Sequence, residues 1–330
     1  MCGGYRRRVT ARGRIVGLVA LASVAAVAVV AVAVVAADDS GSTPAAEAKP
    51  RPGRPPLSFA LGFRTDPEAR DLARGQALYT RGDLEAARAA FAGRDALEAK
   101  VGLAFASWPD GTLDRLEQLA KLYPESGVVQ LHLGLARLWA RQGDPIAAWQ
   151  AVGEGEPDTP YAVLAGNLLF PKVPRGLPTF VPSFPAPAEV TRLPAGRQLG
   201  ALRTRAERGG VRDLLLYGIG LQRVGRPVSA GEVFEQAARR APRDVEAQVA
   251  AAVGSFDKAQ PEIAFARLGP LTRTFPDEPT VRFHLGLLLL WTGRVDEAAR
   301  QFRLASQTQP GSPLAGEAAR YLRTIRRARS

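Results

Sequence analysis

Three hundred and thirty residues with a net charge of +12 are enough for one to three folded units, and the charge at first suggests a nucleic-acid partner. One Cys and two His exclude a disulfide framework, which needs cysteine pairs, and a structural zinc site, which takes about four Cys or His ligands. At 46% hydrophobic and 23% charged residues, the chain is not collagen-like, disordered throughout or a multi-span transporter.

The charge sits at the two ends. Arg6, Arg7, Arg8, Arg12 and Arg14 precede any acid, and Arg320, Arg323, Arg326, Arg327 and Arg329 come after the last one. These clusters account for nearly all of the excess, so the body between them is close to neutral and no nucleic-acid partner is expected. Residues 1–14 read as a basic cytosolic tail.

Residues 15–37 run without a charge through Ile, Val, Leu, Ala, Gly and Ser23. As a helix they span roughly 34 Å, enough for a hydrocarbon core of about 30 Å. Arginines on the N-terminal side and Asp38 and Asp39 on the other place the N-terminus in the cytoplasm and the rest of the chain outside it. The expectation is a single-pass cell-membrane anchor. The alternative is a signal peptide cut near Ala37, although its apolar run exceeds the usual roughly 7–15 residues. Residues 38–57 are rich in Pro and Ala and read as a linker, with too little apolar side chain to offset ordering entropy.

A period of 34 organises the chain beyond the linker, since Pro242, Pro276 and Pro310 recur at that interval. Numbering Pro310 as position 32 of its unit puts Gly286 at 8, Gly293 at 15, Ala298 at 20, Phe302 at 24 and Ala305 at 27. The unit ending at Pro242 repeats this with Gly218, Gly225, Ala230, Phe234 and Ala237, while the middle unit keeps Ala252 and Ala264. Nearer the N-terminus Gly75, Gly82, Ala87 and Phe91 hold the same spacing. Trp108-Pro109-Asp110-Gly111 marks a turn. The string H-L-G-L-x-x-L-W occurs at 132–139 and again at 284–291.

On these residues the chain resembles the tetratricopeptide repeat family, whose unit is a helix–turn–helix of this length. The fold expected is all-α: an α-solenoid of about five to six helical hairpins, preceded by a single N-terminal transmembrane helix. Small residues at 8 and 20 let the two helices of a hairpin approach, an aromatic at 24 fills the next layer, and proline at 32 stops the second helix. The repeats divide into residues 58–170 and 195–311. Between them lies a Pro-rich segment, 171–194, with seven prolines that no helix can run through. It reads as a loop inserted between helices at 161–169 and 194–207, or as a linker between two halves. Residues 312–330 form a capping helix with a basic tail, opened by Ser312 as N-cap and Pro313 in the first turn. Its arginines are a solvated face, or else a contact for anionic lipid at about 1 kcal/mol per side chain.

Little in the chain suggests catalysis. H-E-x-x-H and G-x-S-x-G are absent, Gly218-x-Gly220 follows no strand signal, and His132 and His284 read as structural; no catalytic, cofactor-binding or metal-binding residue is assigned. The resemblance implies a protein- or peptide-binding groove lined by first helices. Its candidate positions are Leu131, Leu135 and Trp139, then Arg212, Ile219 and Arg223, then Phe283, Leu287 and Trp291. The groove lacks the Lys and Asn set with which some relatives clamp a C-terminal carboxylate. These side chains are equally well read as core. A further reading has the Pro-rich loop fold back through Phe180, Val181 and Phe184 as an internal ligand. The function expected is a non-catalytic, membrane-tethered scaffold acting in envelope assembly or as an ancillary secretion chaperone. Alternatives are a cell-wall or glycan binder using Trp139, Trp149 and Trp291, or an envelope enzyme with a cryptic site near 171–194. Partner identity and oligomeric state are not encoded in these patterns.

Overall fold

The computed structural model describes residues 51–328, and among them there are sixteen helices and no strand. The basic tail 1–14, the apolar run 15–37, the first part of the linker (38–50) and the last two residues of the basic tail (329–330) lie outside the described residues. No helix among the described residues is long and apolar enough to cross a membrane.

Three hairpins come first: α1 (Pro67–Arg81) with α2 (Leu84–Phe91), α3 (Leu97–Phe105) with α4 (Thr112–Leu122), and α5 (Gly127–Ala140) with α6 (Pro145–Gly155). A single helix, α7 (Pro160–Leu169), closes this half. The short α8 (Ala188–Thr191) and α9 (Ala195–Arg208) lead into three more hairpins. These are α10 (Val211–Arg223) with α11 (Pro227–Arg240), α12 (Val245–Gly254) with α13 (Glu262–Thr274), and α14 (Pro279–Trp291) with α15 (Val295–Thr308). The last helix, α16 (Pro313–Arg327), packs on α15 and α14 and ends the array.

The repeat positions do what their size demands. A methyl group on Gly75, Gly218 or Gly286 would fall 2.3 to 2.7 Å from the ring of Phe91, Phe234 or Phe302 in the partner helix. In these three units position 8 has to be glycine because an aromatic ring occupies the space of its side chain; the middle unit, with Leu268 at 24, has Ala252 there. Gly134 meets the Trp149 indole in the same way. The position-15 glycines serve the turn: Gly82, Gly225 and Gly293 have φ of 92°, 73° and 76°, in the left-handed region that side chains with a Cβ disfavour. Ala87, Ala230 and Ala298 at position 20 are fully buried.

Helix starts are set locally by Asp66, Asp83, Asp144, Thr159, Asp244 and Ser312, each accepting a backbone N–H of the first turn. Two starts are capped from elsewhere. Glu156, just past α6, takes the Gly127 N–H that opens α5 (3.0 Å), and Asp158, before α7, takes the Ser229 N–H of α11 (2.9 Å). The Asp158 carboxylate also meets the Arg226 guanidinium and the Ser229 hydroxyl. Gly225 at the end of α10 lies against Pro160.

The hairpin expected between 161–169 and 194–207 is not formed. Instead α9 packs on α10 and α8, and α7 packs on α6 and α5. Each half builds its own core, one under α1–α7 and one under α9–α13 that passes to a third around α14–α16. The Pro-rich chain between the halves belongs to the second of these through Phe180.

Candidate functional site

In both halves the first helices present an apolar inner face, and in both halves that face is covered by the protein's own non-helical chain. Residues 51–61 form one strap. It runs from the C-terminal ends of the first helices toward their middles and beginnings. The Arg51 N–H donates to the Trp139 carbonyl (2.7 Å), the Trp108 indole N–H to the Gly53 carbonyl (3.2 Å) and the Tyr79 hydroxyl to the Pro55 carbonyl (2.7 Å). Farther along, the Ser58 N–H donates to His132 Nε2 (3.2 Å), the Phe59 N–H to Gln76 Oε1 (2.9 Å) and the Ala60 N–H to the Tyr161 hydroxyl (3.1 Å). Leu57 and Phe59 are buried against α1, α3, α5 and α7. Within the Pro-rich stretch Pro55 and Leu57 are buried while Pro52, Gly53 and Arg54 stay exposed, and together with Phe59 the buried side chains give this short segment enough apolar surface to hold.

Residues 176–184 form the second strap, laid the same way on α10, α12 and α14. The Trp291 indole donates to the Gly176 carbonyl (3.2 Å), the Phe180 N–H to Gln222 Oε1 (3.1 Å), the Val181 N–H to His284 Nε2 (2.9 Å) and the Ser183 N–H to Glu246 Oε1 (2.6 Å). Phe180 is 2% exposed. Lys258 ties the start of the strap to α7, donating to Asn167 Oδ1 (2.7 Å) and the Pro174 carbonyl (3.1 Å); partial burial lowers its amine to about 8.

Two histidines organise these contacts. His132 and His284 are fully buried, and each has Nδ1 at 2.6 to 2.7 Å from the carbonyl four residues earlier, Val128 or Thr280. A carbonyl only accepts, so Nδ1 carries the proton and Nε2 is left as the acceptor that the strap amide needs. Burial lowers both imidazoles to about 4, with the Nδ1 hydrogen bond acting weakly against it. Burial likewise pushes the Tyr79 and Tyr161 hydroxyls well above the usual tyrosine range.

The groove candidates fall into three groups. Leu131, Leu135, Ile219, Phe283 and Leu287 are buried at 8% exposure or less and belong to the core. Trp139 and Trp291 are half-buried and already engaged, Trp139 beneath the Arg51 guanidinium (5.9 Å) and Trp291 on Gly176. Arg212 and Arg223 are exposed, with the Arg212 guanidinium over the Phe184 ring at 5.1 Å. Trp149, a candidate for glycan contact, is 4% exposed and donates its indole N–H to the Leu131 carbonyl (3.3 Å). The residues that hold the straps, His132, His284, Gln76, Gln222 and Tyr161, carried one signal in the sequence: the same histidine in two otherwise apolar helices.

Stacked helical hairpins, with a non-helical segment lying on their first helices, define this chain as an α-solenoid. The sequence model of the tetratricopeptide repeat matches residues 129–154, which is the α5–α6 hairpin containing Gly134 and Trp149. The same glycine–aromatic packing recurs in α1–α2, α10–α11 and α14–α15, so these hairpins are built like tetratricopeptide repeats. No curated protein matches it. Among solved structures it is similar to a tetratricopeptide repeat protein from Parabacteroides merdae, at 12% identity and a TM-score of 0.34, covering 78% of this chain and 98% of that one. It is also similar to yeast Tom70 (13%, TM-score 0.30, 78% of this chain and 47% of that one). A third similarity is to the Cut9–Hcn1 hetero-tetramer of the APC/C (13%, TM-score 0.26, 78% and 55%).

Proposed function

We propose that this protein is a non-catalytic scaffold, tethered to the cell membrane by residues 15–37, whose repeats hold protein or peptide partners on the extracytoplasmic side during envelope assembly. The observation behind the binding role is the pair of straps: in each half, hydrogen-bonding side chains on first helices are already arranged around non-helical polypeptide. The topology rests on the arginines before the apolar run and the two aspartates after it.

Cys2 is the sole cysteine and makes a direct topology test. A membrane-impermeant maleimide should label Cys2 only after intact cells are permeabilised. In a Cys2→Ser background, cysteine placed at exposed Gln307 should be labelled without permeabilisation. The reverse pattern removes the topology. The scaffold role is tested by photocrosslinkers at the exposed Arg212 and Arg223, which should trap a defined protein in membranes; trapping none at either site counts against it.

A further inference from the structure

The two straps have different sequences but are held by one arrangement. Phe59 and Phe180 each meet the position-24 ring of the first hairpin in their half edge-on, Phe91 at 5.9 Å and Phe234 at 5.7 Å. Each also lies against the buried histidine of the third hairpin, His132 at 5.9 Å and His284 at 5.0 Å. In both, the N–H of the phenylalanine itself goes to a glutamine of the first helix, and the N–H of an adjacent residue goes to histidine Nε2. That adjacent residue precedes the phenylalanine in one strap (Ser58) and follows it in the other (Val181). Around the phenylalanine, Leu57-Ser58 and Ala60-Leu61 in one correspond to Pro178-Thr179 and Val181-Pro182 in the other. What recurs is a phenylalanine side chain, a hydroxyl residue before it, and two backbone N–H groups.

We infer that the inner face of α10, α12 and α14 is a peptide site that reads a phenylalanine and its backbone amides, that residues 176–184 are its resident occupant, and that its partner is a non-helical segment containing Phe. This deepens the scaffold reading and rests on it. The second strap can be exchanged without unfolding a helix. It lies between the end of α7 at Leu169 and the start of α8 at Ala188, so it can leave as a loop with no helix broken. Lys172, Arg175, Thr179, Ser183 and Pro185 are exposed along it, leaving one edge open to solvent. While seated, a tethered segment acts at an effective concentration of order millimolar, which suppresses any incoming peptide of similar intrinsic affinity.

The test uses the full chain and a fluorescent peptide of residues 175–187, with a control peptide in which the phenylalanine matching Phe180 is alanine. The Phe180→Ala protein weakens the resident strap and should bind the peptide at least about 30-fold more tightly than the unaltered protein, while the control peptide fails to bind. Val181→Pro keeps Phe180 but removes the N–H given to His284, and it should open the site in the same direction. It decides the matter where circular dichroism shows Phe180→Ala to have lost helix. Equal binding by altered and unaltered proteins, or equal binding of both peptides, overturns the inference. A protein that ignores the peptide but still crosslinks to a membrane partner loses this inference and keeps the scaffold reading.

Discussion

Acid should loosen both halves through their two histidines. Each imidazole is neutral and buried, with Nε2 receiving a strap amide, and each titrates near 4 in the fold against 6.5 when free. The sign comes from linkage: the unfolded chain binds the proton first. The stabilisation is complete above pH 6.5, falls as pH drops from 6.5 toward 4, and is gone below that. At about pH 5 the loss is about 2 kcal/mol per histidine, or about 4 kcal/mol for both, a large share of a stability of roughly 5–15 kcal/mol. Protonated Nε2 becomes a donor facing the Ser58 or Val181 N–H, so the strap contacts should be lost with it. Urea unfolding followed by circular dichroism between about pH 7.5 and 5 measures the slope, and a His132→Gln/His284→Gln protein supplies the reference. Burial raises the Glu317 carboxyl on α16, which opposes acid destabilisation but is common to both proteins and cancels in the difference. A stability difference between the two proteins that stays constant across this range refutes the reasoning.

Three other substitutions test the packing and the caps. Gly218→Ala places a methyl 2.3 Å from the Phe234 ring and should destabilise the protein by about 1–3 kcal/mol, read as a lowered urea midpoint with an unchanged slope. Gly293→Ala has nothing within 4 Å of the added methyl but sits at φ 76°, so its cost should be about 1–2 kcal/mol from backbone conformation alone. Asp158→Ala removes the cap that α11 lacks in its own sequence, leaving the Ser229 N–H without it, and should cost about 1–2 kcal/mol in the same assay.

The repeat was legible because its determinants are close in sequence. Gly218 and Phe234 are one hairpin apart, as are Gly75 and Phe91, and their spacing records contact within that hairpin. Ser312 and Pro313 announced α16 for the same reason, since the cap and the helix it starts are adjacent. The straps were less legible. The Val181 amide meets His284 from 103 residues away and the Ala60 amide meets Tyr161 from 101, distances over which no periodicity links the partners. Phe180, Val181 and Phe184 suggested an internal ligand, but residues 51–57 read as a linker because a few apolar side chains among prolines look unable to order themselves. They are ordered by a face already built by α1, α3, α5 and α7.

The +12 charge with which the sequence presents itself belongs almost wholly to its ends and says little about the folded body. By itself the sequence determined the repeat period and the glycine–aromatic contacts, because each depends on neighbours within about 34 residues, while the pairing of α7 and α9, which the Pro-rich segment separates, was decided by packing. Only the tertiary structure decided what covers the first helices. An apolar inner face must be buried, and whether by core, strap or partner depends on which segment reaches it once the hairpins have stacked.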